Sequence, residues 1–132
     1  ITINGLCRDG RVDLAGGLID GLLAAGARFA GRLPELYSGD PRAAFRRPIP
    51  YPAACHPQAW AAASSVLLLQ SVLGVTPDVP GGVLRLAPPR PSPVGALRVQ
   101  GLAVGGDLVT IALDAGGDVI EVTGTALAVE VS

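Results

Sequence analysis

The sequence predicts a mixed fold in which two helices precede a small antiparallel β-sheet or sandwich. Apolar residues recur every three or four positions over residues 12–30, and residues 57–73 are apolar almost throughout. After Pro80 the apolar residues alternate with polar ones, which is the period of a strand. With 49% hydrophobic and 16% charged residues, the composition is that of a folded chain with a core.

The first helix is predicted over residues 12–30, because its larger apolar residues fall on one helical face. These are Leu14, Leu18, Leu22, Ala25 and Phe29. Gly16, Gly17 and Gly21 each disfavour the helix by about 1 kcal/mol relative to alanine, so neighbouring elements must hold it. Gly31 follows as a typical stop signal.

The second helix is predicted over residues 57–73. Pro57 suits the first helical turn, where a missing N–H does no harm, and Gly74 suits the position after the end. A helix that is apolar on nearly all faces is buried on most sides. We therefore expect the two helices to pack against each other and to bury five large residues, namely Leu18, Leu22, Phe29, Val66 and Leu69.

Residues 31–56 connect the two helices and show no helical or strand period. They contain five prolines and three aromatic residues, Tyr37, Phe45 and Tyr51, which favours an ordered segment over a disordered one. A long ordered connection in a compact domain is usually functional. Chemistry is therefore expected here.

The β part begins after the proline-rich stretch 77–80, which we take as a boundary between residues 1–76 and 77–132. Short alternating runs separated by glycine-rich turns predict a meander of antiparallel strands. The predicted strands are residues 83–86, 96–104, 108–113, 119–122 and 126–131.

The charge and cysteine content exclude several classes of function. A net charge of −1 provides no electrostatic footprint for nucleic acid or an acidic membrane surface. No apolar run approaches the roughly 20 residues of a membrane span. Cys7, Cys55 and His56 are too few and too widely spaced for a zinc site, and two buried, reduced thiols indicate a cytoplasmic protein without metal or cofactor.

Glu35 is the only glutamate in the first 120 residues, and it lies between Pro34 and a Tyr-Ser-Gly turn. A carboxylate on a stiff loop after a helix is well mounted to act as a general base, because base catalysis requires fixed geometry first. A solvated charge, or a partner for Arg32 or Arg42, remains the alternative for such a residue.

Two segments, Leu33-Pro34-Glu35-Leu36-Tyr37-Ser38-Gly39 and Ala54-Cys55-His56-Pro57-Gln58-Ala59-Trp60, resemble the end of the catalytic domain of bacterial glycogen-debranching, amylo-α-1,6-glucosidase-like glycoside hydrolases. The resemblance covers about residues 10–75 and extends more loosely to the β part. It implies an (α/α)6 toroid of six inner and six outer helices. Residues 1–76 would supply its last helices, and residues 77–132 an antiparallel β tail.

The resemblance also implies a role for Glu35 as the general base of an inverting glycosidase that acts on α-glucosidic, glycogen-like linkages. The general acid would lie in an amino-terminal remainder of the same protein. Such a remainder is also expected because the chain begins without methionine and residues 1–7 read as the end of an earlier helix.

Three further residues are candidates for binding an α-glucan or oligosaccharide. Gln58 can bond two neighbouring hydroxyls, and the rings of Trp60 and Tyr51 can cover a sugar face. Core packing is an equal alternative for Trp60, the single tryptophan. A non-catalytic carbohydrate-binding homologue and a β-sandwich interaction module remain the alternative functions.

Overall fold

The structure, a computed structural model, describes residues 1–41, 43–55 and 58–132. Three helices come first, α1 (Thr2–Arg8), α2 (Val12–Arg28) and α3 (Ala59–Leu73). Six strands follow, β1 (Val75–Asp78), β2 (Val83–Leu86), β3 (Leu97–Val104), β4 (Asp107–Leu113), β5 (Val119–Thr123) and β6 (Ala128–Val131). The predicted helix start at Pro57 lies outside the described residues, and the predicted boundary at residues 76 and 77 falls inside β1.

The predicted fold class, the last helices of an (α/α)6 toroid with an antiparallel β tail, is wrong. The described residues form three helices beside two three-stranded sheets, and three helices are too few to close a ring. The main core lies in the β half, where the strand period places apolar side chains on inward faces. It contains Leu73, Val75, Leu84, Leu86, Val104, Val109, Ile111 and Leu113.

One sheet is a meander and the other is not. Strands β3, β4 and β5 pair antiparallel in chain order, as their glycine-rich turns predict. In the second sheet, β2 pairs antiparallel with β1 and parallel with β6. The expectation of a wholly antiparallel β part is therefore also wrong, since β6 crosses over to lie beside β2.

The two long helices do not pack on each other as predicted. Both contact α1 instead, and the Asn4 amide of α1 donates a hydrogen bond of 3.0 Å to the Ser71 hydroxyl of α3. With only α1 between them, large parts of both helices face solvent. Leu18 is 44% exposed and Val66 is 67% exposed, so their predicted burial is wrong. Leu22, Phe29 and Leu69 are half-buried.

Both helices end close to the glycines that the sequence singles out. After α2 the chain turns through Ala30 and Gly31, which both have positive φ, and the Gly31 N–H donates to the Gly26 carbonyl. Gly74 caps α3 in the left-handed conformation, with φ of 63°. A Cβ at Gly74 would lie 2.1 Å from the Ala87 carbonyl carbon, so this turn brings α3 directly against the end of β2.

Candidate functional site

The connection between α2 and α3 folds back on itself. The Ser38 N–H donates to the Ile49 carbonyl at 3.0 Å, and Tyr37 and Pro50 form an isolated antiparallel bridge. Further along, the Glu35 N–H donates to the Cys55 carbonyl at 3.3 Å. These contacts hold the start and the end of the connection side by side, which brings the two motif segments together.

The Glu35 side chain bridges the same two segments. Its Oε2 atom accepts a hydrogen bond of 3.2 Å from the Cys55 backbone N–H. This bond is the main reason why the pKa of Glu35 lies below its ordinary value, and the Cys55 thiol and the Gln58 side chain lower it further. The carboxylate is therefore ionised at neutral pH and has three hydrogen-bond donors around it.

The Cys55 thiol responds in the opposite direction. It donates to the Glu35 carboxylate, and this bond, with the nearby negative charge, raises the pKa of Cys55. Cys55 is exposed, so its predicted burial is wrong, whereas Cys7 is buried and burial raises the pKa of its thiol. Both cysteines are free.

Gln58 connects Glu35 to the start of α3. It is the N-cap residue of this helix, and its Oε1 accepts a hydrogen bond of 3.0 Å from the Ala59 N–H. Its amide NH₂ group is then the part that can donate to the Glu35 carboxylate. A carboxylate near the N-terminus of a helix is favoured by the helix dipole, which adds to the hydrogen bonds.

The other two predicted binding residues, Trp60 and Tyr51, are not among the groups that contact Glu35. Trp60 is in the first turn of α3 and 59% of it is exposed, which does not fit the core-packing alternative. Tyr51 is 46% exposed. Within the part of the chain that the structure describes, the groups that contact the Glu35 carboxylate belong to Cys55 and Gln58, and neither ring is among them.

The connection and α2 also line a groove that the sequence did not predict. It has a volume of about 690 Å³ and is lined by residues 1–3, by part of α2 and by residues 37, 38, 40 and 45–49. Tyr37 and Ser38 line it, whereas Glu35 does not. The Tyr37 ring also packs edge-on against Phe29, with 5.7 Å between ring centroids. We call this cavity the α2 groove.

The sequence analysis named Glu35 and Gln58 as candidates, which the structure brings together, but it did not indicate that Cys55 contacts Glu35. Cys55 stands three residues before Gln58 in the second motif segment, and that position is the signal which could have suggested it. Its backbone N–H, however, reaches Glu35 only because the connection folds back. Asp40, which also lines the α2 groove, accepts a hydrogen bond from the Ser38 hydroxyl, as suits a turn residue.

Neither a metal site nor a membrane span is found among the described residues. No group of three His, Cys, Asp or Glu side chains could hold a metal ion, and no described helix is long and apolar enough to cross a membrane. His56 and Arg42, considered in the sequence analysis, lie outside the described residues. The chain matches no family model, no curated protein and no solved structure.

Proposed function

We propose that this chain supplies the general base of a glycoside hydrolase that cleaves α-glucosidic, glycogen-like linkages with inversion. Glu35 is the base, and the general acid belongs to the amino-terminal remainder of the same protein. The observation that carries the proposal is the contact of the Glu35 carboxylate with the Cys55 N–H, which joins the two motif segments. The substrate is an α-glucan or oligosaccharide, and the compartment is the cytoplasm.

The environment of Glu35 suits a base in several respects. A base must be deprotonated before it acts, and the hydrogen bonds that hold the pKa of Glu35 below its ordinary value keep its carboxylate ionised, although they also make it a weaker proton acceptor. Those bonds also limit rotation of the side chain, which supports the fixed geometry that proton abstraction from water requires. The side chain is only half-buried, so water can reach it.

The inverting mechanism assigns Glu35 one defined step. A general acid protonates the glycosidic oxygen, while Glu35 removes a proton from a water molecule that attacks the anomeric carbon from the opposite face. Two carboxyl groups in such enzymes lie about 6.5–9.5 Å apart, to admit this water. The Gln58 amide and Cys55 both donate to the Glu35 carboxylate. The amide is therefore placed to bond a substrate hydroxyl beside the attacking water.

A carbohydrate-binding protein without hydrolytic activity is a second candidate, and the exposure of Trp60 favours it. Trp60 is 59% exposed and lies two residues after a hydrogen-bonding glutamine, so its indole ring can cover the apolar face of a sugar without any catalysis. In this case Trp60→Ala weakens α-glucan affinity by about 1–3 kcal/mol, while Glu35→Gln leaves it unchanged.

The test of the proposed function is Glu35→Gln in the complete protein. The amide keeps the shape of the side chain but does not accept a proton, so glucan hydrolysis should fall by about two to four orders of magnitude, with substrate binding retained. Azide should restore turnover of an α-linked donor, and the product should be the β-glycosyl azide. Glu130→Gln, which alters an exposed carboxylate on β6, is the control and should keep full activity.

Near-normal hydrolysis by Glu35→Gln would show that the base is another residue. If the complete unsubstituted protein binds glucan but does not hydrolyse it, the carbohydrate-binding candidate replaces the enzyme.

A further inference from the structure

The α2 groove has a ridge and a furrow like those through which helices pack against each other. Leu18 and Leu22 line the groove four residues apart on α2, and Leu18 is 44% exposed. Leu14, four residues before Leu18 and 51% exposed, extends this ridge beyond the groove. Beside this ridge of leucines, Gly17 and Gly21 form a parallel furrow. A Cβ added at either glycine would meet nothing within 4 Å. Helices pack by placing the i, i+4 ridge of one into such a furrow of the other.

The size of the groove also corresponds to a helix. One turn of a helix about 10 Å across with a pitch of about 5.4 Å occupies on the order of 400 Å³. The groove of about 690 Å³ therefore holds between one and two turns. Apolar side chains outside α2 also line it, namely Phe45, Ile49, Ile1 and Ile3.

The rim of the groove is cationic. Arg46 and Arg47 line it, and Arg28 joins them around an adjoining pocket of about 400 Å³. The ion pairs among residues 1–41, 43–55 and 58–132 involve other arginines, so these three have no acidic partner there. Asp40, which also lines the groove, is engaged with the Ser38 hydroxyl. An acidic occupant is therefore the complementary one.

We propose that the α2 groove binds an acidic amphipathic helix from a polypeptide segment other than residues 1–132. The apolar residues of this helix, spaced by one turn, enter the Gly17–Gly21 furrow, and its carboxylates meet Arg46 and Arg47. The proposal goes beyond the proposed function, because it holds whether or not Glu35 acts as a base. Leucine ridges and glycine furrows accommodate a helix better than a flat or extended ligand.

The experiment uses synthetic fluorescent peptides of about 18 residues, long enough to form a helix on binding. One peptide has leucines at i, i+4 and i+7 flanked by glutamates, a second has lysines in place of the glutamates, and a third has a central proline. Binding to the 132-residue chain is measured by fluorescence anisotropy at two salt concentrations. The acidic peptide should bind at least about tenfold more tightly than the other two, and salt should weaken its binding.

Variants of the chain locate the binding to the groove. Arg46→Glu with Arg47→Glu should weaken the acidic peptide by about tenfold or more and should strengthen the lysine peptide. Gly21→Leu fills the furrow and should abolish binding of both the acidic and the lysine peptide. Leucine has a higher helix propensity than glycine, so this loss would not come from destabilising α2. Gly26→Leu, on α2 but outside the groove, and Arg11→Glu, at the start of α2, are the matched controls and should bind normally.

Several outcomes would overturn the proposal. These are no binding of the acidic peptide, equal binding of the acidic and lysine peptides, equal binding of the proline peptide, or unchanged affinity in Gly21→Leu. A dimer of the chain in sedimentation velocity that Gly21→Leu abolishes would make a second copy the occupant. Displacement of the peptide by inorganic phosphate alone would make the groove an anion site. Arg11→Glu and Gly26→Leu make the same kinds of change outside the groove, so normal binding by both would separate loss of the groove from a general effect of charge or of a leucine on α2.

Discussion

Glu35 and Cys55 perturb each other in opposite directions, because the backbone N–H and the thiol of Cys55 both donate to the Glu35 carboxylate. The contact lowers the pKa of Glu35 and raises that of Cys55. The pKa of the Cys55 thiol therefore reports on the charge of Glu35. It can be measured without substrate and without the general acid.

We expect Glu35→Gln to lower the pKa of the Cys55 thiol towards its ordinary value, because the negative charge beside the thiol is removed. The measurement is the rate of Cys55 alkylation by iodoacetamide as a function of pH, followed by mass spectrometry of the Cys55 peptide. The thiolate is the reactive form, so the whole rate profile should shift to lower pH. Glu130→Gln should leave it in place, and an unshifted profile in Glu35→Gln would mean that the contact does not exist in solution.

The sequence singled out Glu35 and Gln58 as candidates, but it did not indicate that the chain would bring them together. The single glutamate of the first 120 residues and a helix start with glutamine stand out in the printed chain. Their proximity depends on backbone pairing of Glu35 with Cys55 and of Ser38 with Ile49. Such pairing in a proline-rich segment has no side-chain period, so no pattern of residues predicts it.

At the scale of the elements, the end of α3 requires a glycine at position 74 for two reasons. Its left-handed conformation ends α3, and a Cβ would collide with the Ala87 backbone. Gly82 also has positive φ, but a Cβ there would meet nothing within 4 Å. An alanine at Gly82 therefore tests only the cost of the left-handed conformation, whereas an alanine at Gly74 adds the clash with Ala87.

Gly82→Ala should lower the free energy of unfolding by about 1 kcal/mol, the usual effect of a left-handed non-glycine residue. Gly74→Ala should lower it by at least about 3 kcal/mol, because the Ala87 backbone or the end of α3 must also move. Urea denaturation followed by circular dichroism measures both. Equal losses in the two variants would show that the junction between α3 and β2 is loose.

An ion pair spans the meander sheet. Arg98 on β3 and Glu121 on β5 both stand opposite Ala112 of β4, and the guanidinium meets the carboxylate through two bonds of 2.9 and 3.0 Å. Arg98 is also the main reason why the pKa of Glu121 lies below its ordinary value. Ala112 between them is buried.

Because the pKa of Glu121 is lowered in the folded state, its contribution to stability is present above its unfolded pKa of about 4.3. The contribution is lost as the pH falls through the folded-state pKa. Glu121→Gln should therefore melt at a lower temperature than the unsubstituted chain at about pH 7, and at nearly the same temperature at about pH 2. Differential scanning calorimetry measures both, and a difference that persists unchanged at low pH would contradict the ion-pair origin.

At the scale of the whole molecule, the main core joins the two sheets to the end of α3 but includes no residue of α1 or α2. The sequence predicted the two long helices and five of the six strands closely, since their periods are local. It did not predict β1, which directly follows α3, nor the parallel pairing of β6, because neither leaves a periodic signal. The prediction of a helical ring, which the resemblance implied, is wrong because most of the core lies in the strands.

We expect this distribution of the core to produce uneven stability. Ile111→Ala removes a fully buried side chain and should lower the free energy of unfolding by about 2–5 kcal/mol. Hydrogen exchange should then accelerate in β2, β4 and the last turn of α3, with α2 little affected. Leu108→Ala is the control on the same strand, where the leucine is 68% exposed. Equal acceleration throughout the described residues would mean that all elements unfold as one unit.

The parallel pairing of β6 with β2 has a consequence for the order in which the molecule can assemble during synthesis. The meander β3, β4 and β5 needs only neighbouring chain and can form early. Strand β2 leaves the ribosome with one edge paired to β1, and its other edge stays open until residues 87–127 have followed and β6 arrives. An open edge attracts other strands, and on this one Arg85 supplies the charge that discourages them. Once β6 pairs with β2, the Glu130 carboxylate of β6 lies 3.0 Å from the Arg85 guanidinium. The arginine that discourages other strands from the open edge of β2 therefore helps to hold the correct strand there.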